Sequence, residues 1–279
     1  MPVRGIGPLT NMVLGAPRMD APSGAIATIA GVSFELDLRQ ALHRVVFLDL
    51  FSIELRRTVL PLLAADELLV DVGANFGFWT LLAARRGCRV LAVEPVPATR
   101  TLLAANAARN GLEDRIEIVG QALSDSPGTL TLALPDGESG QASVHPDTTA
   151  TGAERFTVPS STLDALLGER RVRLLKIDVE GHELAVLAGA SRVLASGQVD
   201  YLLVEVAGAV LERAHGSSEA LVELLTGHGY TLVRFVLANE GLFPRRSYRR
   251  VGLAELRGSP PPGDALWVRK GLAHAGARP

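Results

Sequence analysis

The stretch LLVDVGANFGFWTLLAARRG, Leu68 to Gly87, leaves few architectures open. An apolar run holds an acid near its end, a turn with two glycines follows, and a helical spacing of apolar residues begins at once. A short apolar run bounded by glycine predicts a buried strand, Leu68 to Val72, and the pattern after it predicts a helix from about Phe76 to Arg86. RVLAVE, Arg89 to Glu94, is then the next strand. Strand and helix patterns continue to alternate from there, which reads as βα units around a parallel sheet.

PATRTLLAANAARNG gives a helix with Pro97 in its first turn and Gly111 just past its end. RIEIVG (Arg115 to Gly120) and TLTLAL (Thr129 to Leu134) read as strands separated by the turn SDSPG, and 135–155 as a polar surface loop. STLD, Ser161 to Asp164, resembles a capping box that opens a short helix. RLLKIDV is a central strand, HELAVLAGASRVLASG a helix ending at Gly197, and DYLLVEV (Asp200 to Val206) a further strand. A helix near Ser218 to His228 and the strands YTLVRFVL and DALWVRK complete the pattern. Upstream, Leu38 to Leu63 reads mostly as helix. The expected division is a tail with short strands over 1–36, a helical extension over 37–66, one α/β domain over 67–270 and a tail over 271–279.

With 279 residues, 47% of them hydrophobic, the chain can bury a large core. A net charge of −2 supplies no field for polyanions, so nucleic acid is not the expected partner. Cys88 is the single cysteine, which excludes an internal disulfide framework and fits a reducing, cytoplasmic setting. Neither the Pro- and Gly-containing start nor any later stretch has the uncharged apolar length of a secretory signal or a membrane span.

In a parallel sheet, ligands bind outside the carboxyl ends of the strands, and Gly73 and Gly77 let backbone approach a ligand with no Cβ in the way. Glu94 ends the second strand roughly 20 positions after Gly73, where an acid can accept hydrogen bonds from both ribose hydroxyls. Two cofactor classes fit. A nicotinamide dinucleotide, the choice for an NAD(P)-dependent oxidoreductase, usually comes with G-x-G-x-x-G, whereas this turn is Gly73-Ala74-Asn75-Phe76-Gly77. Asp71 is a poor neighbour for a pyrophosphate and a good one for a cationic amino-acid group, which describes S-adenosylmethionine. A plainer alternative has Asp71 capping a tight bend, in a binding or scaffold protein that keeps the cofactor fold without turnover.

LLKIDVEGHE, Leu174 to Glu183, sends Asp178, Glu180 and His182 out of a buried strand toward the same face. With this block the sequence resembles the FkbM-type family of S-adenosylmethionine-dependent methyltransferases. The resemblance rests on five motifs in order: VDVGANFG, VEP with Glu94, ALSD (Ala122 to Asp125), TLD (Thr162 to Asp164) and KIDVEGHE. It implies a Rossmann-like class I methyltransferase fold, with a mostly parallel seven-stranded sheet and helices on both faces. It also implies Asp71, Gly73, Ala74, Asn75 and Gly77 around the methionine part of the cofactor, Glu94 and Pro95 at the ribose, Ala122 beside the adenine and Asp178 near the sulfonium. Similar enzymes often methylate hydroxyl groups of sugars, polyketides or other small molecules.

A neutral hydroxyl is a weak nucleophile, so a base is useful, and Asp178, Glu180 and His182 are the candidates. The same three with Glu205 could also hold a divalent ion, a reading not favoured over a site without metal. Cys88 is expected to be buried, Asn106 and Asn110 to lie on a helix surface, and Arg85, Arg86, Arg170, Arg171 and Arg173 to be solvated. NEGLFPRRSYRR, Asn239 to Arg250, leaves a strand on the ligand face. Its Arg245, Arg246, Arg249 and Arg250 around Tyr248 would suit an acidic or carrier-linked acceptor.

Overall fold

The computed structural model describes residues 23–134, 142–144, 153–206, 218–237, 248–249 and 263–272. The first of these form a hairpin of β1 (Ser23–Ile29) and β2 (Val32–Asp37), turned by Ala30 and Gly31 in left-handed conformations that match the twist of the two strands. Along β2 the side chains of Val32, Phe34 and Leu36 are buried and the alternate ones are not. Two helices follow, α1 (Ala41–Phe47) and α2 (Ile53–Val59), where one longer helical stretch was expected. Asp49 and Ser52, both at positive φ, break it.

The α/β unit then runs through β3 (Leu68–Val72), α3 (Phe78–Arg85), β4 (Arg89–Val93), α4 (Pro97–Arg109) and β5 (Ile116–Val119). Next come β6 (Ala122–Leu123), β7 (Gly128–Leu134) and β8 (Glu154–Ser161), which form a separate three-stranded sheet in the order β6-β8-β7. The chain continues through α5 (Leu163–Leu167), β9 (Val172–Ile177), α6 (Glu183–Ala188), α7 (Ser191–Ala195), β10 (Val199–Val206), α8 (Ser218–Gly227), β11 (Tyr230–Leu237), β12 (Tyr248–Arg249) and β13 (Gly263–Arg269). The main sheet has the order β12-β11-β13-β10-β9-β3-β4-β5. Strands β10, β9, β3, β4 and β5 are parallel, and β13 runs against both β10 and β11. This is the mostly parallel seven-stranded sheet of the class I methyltransferase fold, extended at one edge by the two residues of β12.

Alternation along the strands divides the core in two. Leu69, Val90, Leu174, Tyr201 and Leu203 pack on one face with the hairpin, α3 and Leu103 of α4. Val70, Leu91, Leu175, Leu202 and Val204 pack on the other with α5 to α8. Both faces are covered, so the strands are apolar throughout. A fully buried leucine such as Leu175 contributes about 2 kcal/mol of transfer free energy.

Three local features differ from the sequence pattern. The helix expected over 182–197 is split at Gly189, where a Cβ would lie 2.0 Å from the carbonyl oxygen of Ser124. Only a glycine lets the two segments approach so closely. The cap of α5 is Thr162, whose Oγ1 accepts the N–H of Ala165 at 3.1 Å. Asp164 instead accepts the N–H groups of Arg192 and Val193, at 2.9 Å each, at the start of α7.

Asn106 and Asn110 are not helix-surface residues without partners. The Asn106 amide accepts the Glu35 N–H and donates to the carbonyls of Glu35 and Phe76. Asn110 pairs in the same way with both backbone groups of Ser33. The hairpin is thereby fastened to α4. Cys88 is buried, as its setting between Gly87 and a strand suggested. No helix among the described residues is long and apolar enough to cross a membrane.

Candidate active site

The strand order reverses between β3 and β9, since β4 and β5 extend the sheet on one side and β10 on the other. At such a point the loops diverge and leave a crevice beyond the carboxyl ends. Five acids and a lysine meet there, and strand register explains why. Asp71 of β3 is paired with Lys176 of β9, and Glu205 of β10 with Asp264 of β13. Each of these residues points to the face that holds the hairpin, as does Asp178 two positions beyond Lys176.

Asp71 is fully buried. Its Oδ2 accepts the Thr80 hydroxyl at 2.7 Å, and its Oδ1 accepts no hydrogen bond but lies 3.3 Å from Lys176 Nζ. Lys176 Nζ is also 3.1 Å from Asp178 Oδ2, so one buried ammonium joins the two aspartates. The side chain of Asp178 remains 34% exposed. Oxygens of Asp178, Glu180 and Glu205 lie within 4.8 Å of one another. Burial works against the Asp178 anion, but Lys176 and a hydrogen bond from Glu205 hold its carboxyl below the usual range. The neighbours move the other way. Burial and the charges of Asp178 and Glu183 push Glu180 up to about 8, burial and Asp178 push Asp264 to about 7, and Glu205 is raised well above its ordinary value for the same reasons.

The loop that bears Glu180 is held from two sides. Glu180 itself sits at φ 51°, and the buried Glu183 Oε1 accepts the N–H groups of Val179 and Gly181 at 3.1 and 3.2 Å. Ser143 Oγ donates to the Glu180 carbonyl at 2.8 Å. His182 Nε2 lies 3.0 Å from Ser124 Oγ, just past the end of β6. The sequence placed His182 beside Asp178 and Glu180, and the structure gives that position to Glu205 and Asp264.

The glycine turn lies against this loop. A Cβ on Gly73 would fall 1.9 Å from the Asp178 carbonyl oxygen, so the turn and the acid loop touch through bare backbone. Gly73 and Ala74 both donate to the Val93 carbonyl at 3.1 Å. Asn75, at φ 52°, donates its N–H to Glu94 Oε2 at 2.8 Å, and Val96 N–H donates to Glu94 Oε1 at 2.8 Å. Glu94 therefore braces two turns from a buried position, and each of its oxygens has a second lone pair beyond the one used here. Burial pushes its carboxyl up to about 7 despite those two bonds. Pro95 follows it, its carbonyl accepting from Arg100 Nη1 at 3.3 Å. Ala122 of β6 shares a small apolar cluster with Val96, Leu132 and Val158. The hydrogen bonds join the glycine turn to Glu94, whereas the side chains of Arg245, Arg246, Arg249 and Arg250 lie outside the described residues.

Arg170, Arg171 and Arg173 belong to the opposite end of the sheet. Arg173 is within 3.2 Å of Asp200 and 3.4 Å of Glu67 and stacks over Tyr201, and Arg170 pairs with Glu117 at 2.9 Å. These groups line an open groove of about 1000 Å³ at the amino ends of the strands. Its charges neutralise one another, and it holds neither the glycine turn nor the acid cluster.

Known proteins resemble this chain. A family model described as the methyltransferase FkbM domain matches residues 71–232. The 31-O-demethyl-FK506 methyltransferase FkbM of Streptomyces tacrolimicus is 30% identical over 248 residues, covering 76% of this chain and 88% of that protein. The hexuronic acid methyltransferase AglP of Haloferax volcanii is 30% identical over 154 residues, covering 50% of this chain and 56% of the relative. Among solved structures, methyltransferase FkbM from Methylobacillus flagellatus KT aligns with 94% of this chain and 58% of its own, at 15% identity and a TM-score of 0.47. With the family match spanning the glycine turn and Asp178, Glu180 and Glu205, the chain belongs to the FkbM family of S-adenosylmethionine-dependent methyltransferases.

Proposed function

We propose that this chain methylates a hydroxyl group of a small molecule, a sugar, a polyketide or another natural-product intermediate. The observation that carries this reading is the group of carboxylates on one face of the sheet, beside the turn that would hold the cofactor. A hydroxyl acceptor needs hydrogen-bond acceptors and a base, and this cluster offers both. Relatives named for 31-O-demethyl-FK506 and for hexuronic acid support an oxygen acceptor. An acidic or carrier-linked acceptor would suit the arginines of 245–250, and the single buried thiol suits a cytoplasmic setting.

The residues present fit S-adenosylmethionine. Asp71 Oδ1 is buried without a hydrogen bond, the Gly73 turn has no room for a side chain, and Glu94 keeps free lone pairs. Asp71 with the turn Gly73, Ala74, Asn75 and Gly77 would hold the amino-acid end, Glu94 and Pro95 the ribose, and Ala122 the adenine. When bound, the cofactor supplies a methyl group activated by its sulfonium. Asp178 accepts a hydrogen bond from another donor group of the acceptor and so orients the reacting hydroxyl. Glu180, with a midpoint of about 8, is partly ionised in neutral solution and in that form takes the proton of the reacting hydroxyl. Alignment of acceptor and methyl supplies much of the remaining acceleration.

The test pairs binding with turnover. Calorimetry is expected to show S-adenosylhomocysteine binding and no NAD binding. A panel of alcohols read by mass spectrometry is expected to yield a singly methylated product. Its rate of formation should rise as pH passes through about 8 in the parent and lose that dependence in Glu180→Gln. Binding of NAD alone would sink the proposal, and a Glu180→Gln variant with the parent's rate and pH profile would remove Glu180 as the base.

A further inference from the structure

Lys176 has no part in the scheme above, yet it occupies the centre of the site. A lysine is rarely buried to 4% exposure, because desolvation of an ammonium costs several kcal/mol unless anions lie close. Its Nζ meets Asp71 Oδ1 at 3.3 Å and Asp178 Oδ2 at 3.1 Å. The first of these carboxylates stands on the cofactor side and the second on the acceptor side. The ammonium is the hinge between them.

Every packed element adds acid to this point. Asp178 and Glu180 come from the loop after β9, Glu183 from α6, Glu205 from β10, Asp264 from β13 and Asp71 from β3. The Thr80 hydroxyl of α3 takes the far oxygen of Asp71. Among the described residues, no other cation is paired with any of these acids. Carboxylates at such spacing cannot all ionise, since each like charge disfavours the next. The one nearest the ammonium is favoured, and Glu205, which keeps its proton, reinforces it with a hydrogen bond to Asp178. The cluster is asymmetric because Lys176 pairs with Asp71 and Asp178 and with none of the other acids.

We propose that Lys176 is a positioning residue for methyl transfer: its ammonium ties Asp71 to Asp178 and makes Asp178, rather than its acidic neighbours, the anion that faces the acceptor. The acceptor-side meaning rests on the hydroxyl methylation proposed above. The placement of charge rests on the structure of the cluster itself.

Carbon-detected NMR of Asp and Glu carboxyl groups in the full chain reads this charge directly, with the Asp178 signal assigned by its loss in Asp178→Asn. The parent is expected to keep Asp178 ionised to below the ordinary 3.8. In Lys176→Met, which keeps an unbranched stem and removes the charge, the midpoint should rise by about one pH unit or more, and in Lys176→Arg it should stay low. A lysine that only fills space would lower the melting temperature of Lys176→Met and leave the midpoint in place, and that result overturns the proposal. So does a parent whose Asp178 titrates at or above 3.8, whether or not the methionine variant folds. Calorimetry with S-adenosylhomocysteine separates the two readings. A parent that binds it while Asp178 titrates normally overturns the Lys176 proposal alone, and a parent that does not bind it overturns the acceptor-side meaning along with the proposed function.

Discussion

Glu183→Gln should change how stability responds to pH, in a direction set by one buried carboxyl. Glu183 is 1% exposed, Oε1 accepts two backbone N–H groups, and Oε2 is buried with no hydrogen-bond partner. Burial raises its midpoint from 4.5 to about 7, the backbone bonds offset part of this, and Asp178 adds to it. The folded chain thus holds this proton more tightly than the unfolded one. The stabilisation is fully present below 4.5 and is lost as pH rises toward 7. At about 1.4 kcal/mol per pH unit, the whole displacement amounts to about 3 kcal/mol. Glutamine keeps the accepting oxygen and has no proton to lose. Urea unfolding of parent and variant at pH 4.5 and pH 8 isolates the effect, because Glu94 and Asp264 titrate in both proteins and largely cancel. The variant should gain about 3 kcal/mol on the parent between the two conditions. Equal differences at both pH values would refute the reasoning and mean that Glu183 is already ionised at pH 4.5.

Two further substitutions test the contacts around the turn. Gly73→Ala forces a Cβ to within 1.9 Å of the Asp178 carbonyl at a φ of 78°, so S-adenosylhomocysteine affinity should fall by at least about tenfold as the acid loop is displaced. Unchanged calorimetric affinity would show that the turn and the loop move independently. Asn106→Ala removes three hydrogen bonds to buried backbone, and urea unfolding should register a loss of about 3 kcal/mol, one for each bond. A loss under about 1 kcal/mol would mean that the hairpin is held by its apolar side chains.

The sheet was legible because the strands between Leu68 and Val206 are apolar, short and punctuated by Gly or Pro, a signal that depends only on neighbours in sequence. The glycine turn, Glu94 and Asp178 were legible for the same reason. Lys176 sat inside LLKIDVEGHE, yet a lysine in a strand reads as an edge residue until register sets it beside Asp71. Counting parity from Leu69 and Leu174 would have found it, and the same count aligns Glu205 with Asp264. Asn106 looked superficial because helical periodicity cannot show that β2, far upstream, lies across α4. The break at Gly189 depends on the Ser124 carbonyl, a neighbour in space only. Arg173, grouped with solvated arginines, is instead held by Asp200 and Glu67.

The Asn106 side chain touches both Glu35 and the Phe76 carbonyl, so the hairpin and the glycine turn share one amide. The family match begins at Asp71, and a transplantable unit cut there would leave the turn without the strand that fixes its far side. Exchange of acceptor preference between relatives by grafting is therefore safest when the donor segment starts at Ser23 or earlier and carries β2 together with α4. Shorter grafts would inherit the chemistry of the acids with a slack cradle.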